Sequence, residues 1–338
     1  FDLIDKPIFF DDKIIIGNKY KGLLSDEDGS FLEINFKKDS LLIKRDLWGS
    51  IPIYYNENQQ IISNSLKNIL DVIEKSKPNI SAIAEFVCSA YNTGNRTIYR
   101  DIKFLLPDKI LDIDFKKNQF KVLEKRLNFY IPKNIKEMIH LIDSILELSL
   151  RKFIENNSFN NIYLNLSGGT DSSLLLSKIK ELNNTIGIES LIYYHSDWRT
   201  DIIDHQYSKI ASEKYNVKEN FVDIVNESYS NAFLELIGQT RNVMHTYAPS
   251  FFLLNNTINK SYSEFLVNGS GPDESMIGSE KIEIDKLVKF DDEINCDYED
   301  FLVDHVDYLK ISDKKVKGLF KKDFLDGITD LNVRQGRI

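Results

Sequence analysis

Residues 161–173 read Asn-Ile-Tyr-Leu-Asn-Leu-Ser-Gly-Gly-Thr-Asp-Ser-Ser and constrain the fold more than any other stretch. A short apolar run meets a turn at Ser167-Gly168-Gly169-Thr170-Asp171-Ser172, and an apolar-periodic segment follows at once. The order is strand, glycine-rich turn, helix. Paired glycines let the backbone adopt φ > 0 and come close to a ligand. The turn opens onto a helix N-terminus, whose free N–H groups and dipole attract anions. Ser167, Thr170, Ser172 and Ser173 add hydroxyl donors suited to phosphate oxygens. A carboxylate repels phosphate, so Asp171 fits such a site through a bridging Mg²⁺.

Helix capping needs one Ser or Asp, not this whole string. The string also lacks the Gly-Lys-Ser/Thr of a Walker loop and the Gly-x-Gly-x-x-Gly of dinucleotide folds. It resembles the pyrophosphate loop, Ser-Gly-Gly-x-Asp-Ser, of the ATP pyrophosphatase superfamily. The resemblance implies that Ser167, Gly168, Gly169, Thr170, Asp171 and Ser172 bind the phosphates of ATP.

A second glycine-rich turn narrows the family. Residues 264–279 read Glu-Phe-Leu-Val-Asn-Gly-Ser-Gly-Pro-Asp-Glu-Ser-Met-Ile-Gly-Ser. The segment looks like the Ser-Gly-Glu-Gly-Ala-Asp-Glu-x-x-x-Gly of asparagine synthetases and their relatives, with Gly269, Gly271, Asp273, Glu274 and Gly278 in step. Of the 15 glycines in the chain, five lie in these two segments. The crevice beyond the carboxyl ends of parallel strands is where open α/β sheets place ligands. The resemblance implies that Asp171 and Asp273 are the metal-binding acids. It places Leu166, Asn268 and Gly269 by the adenosine, and the backbone of Tyr194 near the adenine.

The first third is similar to the amidotransferase half of the same enzymes. Arg45-Asp46-Leu47-Trp48-Gly49 through Tyr54-Tyr55 resembles the signature Arg-Asp-x-x-Gly-x-x-Pro-Leu-Tyr-Tyr. Asp28–Phe31, Ser63–Leu70 with Lys67, and Thr97–Leu111 resemble the flanking elements in order, with Asp108 where Gly is usual. The departures define the expectation for this half. Glutamine hydrolysis in that family needs an N-terminal Cys, because a thiolate attacks the amide. Here Phe1 opens the chain and the cysteines are Cys88 and Cys296. The Arg-Gly-Pro-Asp and Asn-Gly-Glu motifs are missing too. The half reads as a scaffold, not a glutaminase.

The synthetase half departs as well. Ser270 stands where asparagine synthetases carry Glu and β-lactam-forming relatives carry Tyr, and Ser at its free pKa is a weak base. The family's catalytic Lys has no assigned counterpart. Lys281 and the lysines at 314–322 are candidates only by position, and a charge run is usually a solvated face. The chain is a fragment or a shortened relative on this count. Ser270, Glu274 and His245 are the candidates for catalysis. His245 lies in Arg241–Pro249, a stretch that approaches the substrate amino acid in the family; a plain surface-loop His is the favoured alternative for it. His195 and Asp197 end a strand on the ligand side. Asp204-His205 opens a helix, where capping accounts for it.

Strand and helix signals divide the chain near residue 130. Before it, Lys13–Ile16, Phe31–Phe36, Leu41–Ile43 and Ile51–Tyr54 read as antiparallel strands, with a helix over Ile80–Tyr91. After the Ile131-Pro132 junction, Ile135, Met138, Ile139, Ile142, Ile145 and Leu146 recur at helical spacing and read as a core-facing helix. Strands at 162–166, 188–194, 219–224 and 264–268 then alternate with helices at 171–182, 201–215, 227–238 and 249–260. Such alternation predicts a parallel sheet covered on both faces. The expected fold class is two-domain, α/β and α+β. Residues 1–130 form degenerate amidotransferase-like antiparallel sheets with helices. Residues 131–338 form a doubly wound parallel sheet of the ATP pyrophosphatase type, incomplete at its C-terminus if the chain is a fragment.

Composition bounds the partners. The net charge of −9 leaves no basic face for nucleic acid. No apolar stretch approaches the ~20 residues that span a bilayer. Without a signal-peptide pattern the expected location is cytoplasmic. The two distant cysteines give neither a zinc spacing nor a disulfide framework. The reading is an ATP- and Mg²⁺-dependent, AMP-forming ligase. It adenylates a carboxylate of a small molecule or peptide and joins it to an amine, as in β-lactam synthetases and lasso-peptide cyclases of specialised biosynthesis. Two alternatives stay open: a ligase using free ammonia or a partner's glutaminase, and a non-catalytic relative that binds nucleotide or a partner chain. A homo-oligomer is compatible with any of the three.

Overall fold

Short apolar runs form four antiparallel strands: β1 (Ile8–Phe10), β2 (Lys13–Tyr20), β3 (Asp28–Lys37) and β4 (Ser40–Arg45). The computed structural model describes residues 8–10, 12–23, 27–73, 75–89, 92, 94–107, 109–124, 130, 132–156, 161–182, 187–194, 202–258 and 264–271. Asp108, His195, Asp197, Asp273, Glu274, Gly278, Lys281, Cys296 and the lysines at 314–322 lie outside the described residues. The chain divides into two compact units. The first comprises Phe1–Ile53, Leu105–Gly238 and Tyr247–Gly269, and the second Tyr54–Phe104, Gln239–Thr246 and Ser270–Ile338.

The second unit holds β5 (Tyr54–Asn56), β6 (Ile61–Ser63), α1 (Leu66–Val72), α2 (Ile80–Ser89) and β7 (Lys103–Phe104). Its three strands form a sheet in the order β6-β5-β7. Leu66, Ile69, Ile73 and Ile102 make its buried core. The Ser65 hydroxyl caps α1 by accepting from the Asn68 N–H. The run expected as a strand over Ile51–Tyr54 becomes one only at Tyr54. Pro52 has no N–H to give a ladder.

In the first unit, β8 (Lys109–Asp114) and β9 (Gln119–Glu124) extend the antiparallel sheet to six strands, β1-β2-β3-β4-β8-β9. Two of its sequence signatures have a structural explanation. The buried Asp46 carboxylate accepts from the N–H groups of Phe31 at 3.3 Å, Trp48 at 2.9 Å and Ser50 at 3.0 Å. The buried Arg45 guanidinium donates to the carbonyls of Leu105 and Gly49. Gly49 has φ +65°, and a side chain there would press on Arg45 and Pro107. One face of β3 carries a charged cluster. Glu33 pairs with Lys13 at 3.1 Å and with Lys19, and Lys19 also pairs with Glu27 at 2.7 Å.

Residues after 130 give the second sheet of this unit: α3 (Ile135–Asn156), β10 (Asn161–Asn165), α4 (Thr170–Leu182), β11 (Gly187–Tyr194), α5 (Ile202–Tyr215), β12 (Lys218–Asp223), α6 (Asn226–Thr240), α7 (Ala248–Thr257) and β13 (Glu264–Val267). All three pairings are parallel, in the order β12-β11-β10-β13. Even and odd residues of the strands bury on opposite faces. Ile162, Leu164, Ile188 and Val267 pack with Leu150, Leu176 and Ile179 of α3 and α4. Tyr163, Leu191, Tyr193, Val222 and Leu266 pack with Leu254 and Ile258 at α7. Both faces are covered, as the alternation predicts.

Helix α3 departs from expectation along half its length. Leu146, Leu150 and Phe153 join the core, but Ile135, Met138, Ile139 and Ile142 are 36–70 % exposed. A helix of 22 residues rises about 33 Å, whereas a five-residue strand spans about 17 Å. Only its second half can lie along the strands. Asn134 caps its start, accepting from the Glu137 N–H at 3.0 Å. Helix α5 starts at Ile202, so Asp204 lies in its first turn and is not its cap. No helix among the described residues is long and apolar enough to cross a membrane.

Candidate functional site

Strand order positions the site. From β10 the chain steps outward to β11 and β12, then returns to pair β13 against the other side of β10. The order reverses between β10 and β13, and such switch points open a crevice at the carboxyl ends of the strands. Both glycine-rich turns leave from this point. Leu164 of β10 lies opposite Val267 of β13, so Ser167 and Asn268 emerge at the same edge of the sheet.

The first turn is shaped by its own short side chains. Gly168 has φ +85°, which an L side chain rarely adopts. Helix α4 begins at Thr170 with Asp171 in its first turn. The Ser167 and Ser172 hydroxyls lie 3.2 Å apart. Ser172 Oγ also donates to the Gly169 carbonyl at 3.2 Å, and Ser173 Oγ donates to it at 2.8 Å. Ser172 is buried, while Ser167, Gly169 and Thr170 are exposed. The result is a backbone cradle at a helix N-terminus with its glycine face open to solvent.

The second turn touches this cradle. A Cβ on Gly269 would lie 2.9 Å from the Ser172 backbone nitrogen and 3.1 Å from Asp171 Cβ. Only glycine permits that approach without a backbone shift. Asn268 beside it is exposed. The structure thus brings together Ser167, Gly168, Gly169, Thr170, Asp171, Ser172 and Gly269.

Other expected residues fall elsewhere. The Leu166 side chain is fully buried among Ile162, Leu164 and Leu176, so only its backbone faces the crevice edge. Tyr194 ends β11, and its carbonyl accepts from the Ile224 N–H at 2.9 Å. Ser270 and His245 belong to the second unit. Asp273 and Glu274 lie outside the described residues. Among the described residues no group of three or more His, Cys, Asp or Glu could hold a metal. Asp171 is the described acid at the cradle, and its carboxylate is of the oxygen type that a hard cation would take as a ligand. The open glycine backbone and the helix N-terminus suit a phosphate chain.

Sequence reasoning missed a cavity of about 260 Å³ in the second unit, lined by Tyr54, Phe86, Arg96, Phe104, Met244 and His245 among others. Its rim is organised by Glu85, which is 1 % exposed and pairs with Arg96 at 2.9 Å. Asn92 Nδ2 donates to the Ala82 carbonyl at 2.6 Å. An acid among apolar residues of a helix, Ile-Ser-Ala-Ile-Ala-Glu-Phe, was the available signal: such a group is rarely buried unpaired.

The family model described as "Asparagine synthase" matches residues 157–326, just over half of the chain. One described as "Glutamine amidotransferase domain" matches residues 23–125. The cradle lies within the part matched by the asparagine synthase model. The chain belongs to the asparagine synthetase-like family of ATP-dependent carbon–nitrogen ligases. No curated protein matches the chain significantly.

Solved structures give partial overlaps. Glutamine-dependent NAD+ synthetase from Acinetobacter baumannii, in complex with ADP, is 15% identical, with 60% of this chain and 44% of that chain covered and a TM-score of 0.31. NH3-dependent NAD synthetase from Campylobacter jejuni is 16% identical, with 41% and 59% covered and a TM-score of 0.29. NMN synthetase from Francisella tularensis is 16% identical, with 44% and 59% covered and a TM-score of 0.30. The chain spans about half the length of these structures. Family membership rests on the sequence match over residues 157–326.

Proposed function

We propose that this protein is an AMP-forming amide ligase that activates a carboxylate of a small molecule or peptide and joins it to an amine in specialised biosynthesis. The observation that carries the reading is the contact of Gly269 with Asp171 and Ser172 at the switch point. It joins the two glycine-rich turns into one cradle.

The residues divide the work as follows. The N–H groups at Gly168–Asp171 hold the β- and γ-phosphates of ATP, where preorganised donors stabilise charge that develops on the leaving pyrophosphate. Asp171 and Asp273 hold Mg²⁺, which supplies charge neutralisation when bound. Backbone groups of Leu166, Asn268 and Tyr194 border the nucleoside. A carboxylate oxygen attacks the α-phosphorus, and the bond from that phosphorus to the bridging oxygen breaks, releasing pyrophosphate. The amine nitrogen then attacks the activated acyl carbon, AMP leaves, and the nitrogen gives up its proton. Ser270, Glu274 and His245 are the candidates nearest in sequence to that proton.

In this reading residues 1–130 are an amidotransferase-like domain kept as a scaffold, and residues 131–338 are the ligase domain. The amine comes from the substrate itself or from a second small molecule, and the protein works in the cytoplasm. Incubation with ATP, Mg²⁺ and a panel of carboxylic acids tests the proposal. The expected outcome is AMP and pyrophosphate in equal amounts with a matching acid, and no glutamate from glutamine. ADP and phosphate as products would overturn it.

A further inference from the structure

The second unit has a cavity that the ATP cradle does not use. Tyr54 of β5 and Phe104 of β7 stand side by side on the small sheet, ring centroids 5.4 Å apart and planes tilted by 50°. Phe86 of α2 and Met244 of the segment between α6 and α7 complete an apolar lining. The cavity is about 260 Å³, below the roughly 300–1,000 Å³ of pockets that enclose drug-sized molecules. It has room for one large side chain, not for a nucleotide. Offset and edge-on ring contacts favour an aromatic guest between aromatic walls, and a thioether adds a favourable contact at the ring edge.

The polar groups set the charge of the guest. The Arg96 guanidinium lines the cavity, but the buried Glu85 carboxylate pairs with it at 2.9 Å. The pair cancels, so the wall attracts neither an anion nor a cation strongly. The Thr97 hydroxyl is engaged by the backbone of Tyr99 at 3.0 Å and of Ile102 at 2.7 Å. Asn242 Nδ2 reaches the Tyr54 hydroxyl at 3.4 Å and fixes that ring's outer end. His245, at the same cavity, is exposed.

We infer that this cavity is a binding subsite that seats an uncharged aromatic side chain of a peptide or amino-acid derivative. The inference also gives the amidotransferase-like half a task. Tyr54, Phe86, Arg96 and Phe104 all come from the part of the chain that matches the amidotransferase model.

Calorimetric titration of the full 338-residue chain with N-acetyl-phenylalanine amide tests the inference. The probe has a ring but no carboxylate, and the titration contains no ATP. The expected result is saturable one-to-one binding, at least tenfold tighter than N-acetyl-lysine amide. Met244→Trp fills the cavity and Phe86→Ala removes a wall. Each should weaken the phenylalanine probe at least tenfold while the thermal melt of Met244→Trp stays within a few degrees of wild type. Absence of saturable binding, equal binding of the lysine probe, or unchanged binding in both variants would overturn the subsite. Saturable, variant-sensitive binding in a protein that forms no AMP with any acid would overturn the adenylation reading and uphold the pocket.

Discussion

Gly269 lies so close to Ser172 that an added Cβ would stand 2.9 Å from the Ser172 backbone nitrogen. The contact ties the end of β13 to the first turn of α4. Gly269→Ala must push the two turns apart, because the atom it meets is backbone. Overpacking of this kind costs about 1–3 kcal/mol, and a ~1 Å misplacement of a reacting group costs about 10² in rate. The expected outcome is AMP formation reduced about a hundredfold with a modest fall in melting temperature.

Gly169→Ala separates ligand approach from packing. Its Cβ would meet only Ser167 Oγ, at 3.4 Å, an ordinary contact. The variant should fold like wild type yet bind ATP at least tenfold more weakly, measured by titration with a slowly hydrolysed analogue. Gly238→Ala in α6 is the control, since nothing lies within 4 Å of the added methyl. It should gain about 0.5–1 kcal/mol of stability from helix propensity and leave turnover unchanged.

Asp171→Asn and Asp273→Asn should each abolish AMP formation and leave the melt near wild type. Each removes a charged oxygen from a hard cation, and loss of one such electrostatic contact typically costs about 10²–10³ in rate. Near-normal pyrophosphate release by both variants would remove the basis for the metal assignment.

Asp46 should matter for folding alone. Its buried carboxylate accepts from the Phe31, Trp48 and Ser50 N–H groups and holds an exposed turn in place. Bonds to a charged acceptor are worth about 1.5–3 kcal/mol each, and they overlap, so Asp46→Ala should lose about 3 kcal/mol in urea unfolding. Michaelis constants of whatever protein stays folded should not change.

Glu33 makes stability depend on acid. Burial alone would raise its pKa, but hydrogen bonds from Lys19, Asn35 and Lys13 outweigh that and hold it at about 2. A carboxyl depressed in the folded state contributes stability that is present above the unfolded value, about 4.3. That contribution is lost as pH falls toward 2. Lys19 is raised despite burial, by Glu27 and Glu33, so its contribution is intact below its ordinary range and lost only in strong alkali. Denaturant midpoints measured from pH 5 to pH 2 should fall, and Glu33→Gln should flatten the slope.

The parallel sheet was legible because each strand there is a short apolar run closed by a turn, and longer segments of helical length separate the runs. Both glycine-rich turns were legible because paired glycines at a strand end have few other uses. What composition and spacing could not convey was long-range. Pro52 in Ile51-Pro52-Ile53 was the one local sign that the strand waits until Tyr54. The helical spacing of Ile135, Met138, Ile139 and Ile142 is the same whether a neighbour covers them or not. The cavity needed Tyr54, Phe86 and Met244 to meet across up to 190 positions of chain, roughly, and loop closure over such separations leaves no local imprint.

Strand order has a consequence for how the chain matures. As it leaves the ribosome, β10, β11 and β12 can pair one after another, but one side of β10 stays an open edge until residues 264–267 follow. An open edge of an apolar strand invites pairing with other chains. The strand that covers that side of β10, β13, is also the one whose end carries Gly269 against α4. Coverage of the central strand β10 and assembly of the two-turn cradle therefore arrive together, in a single late event of synthesis.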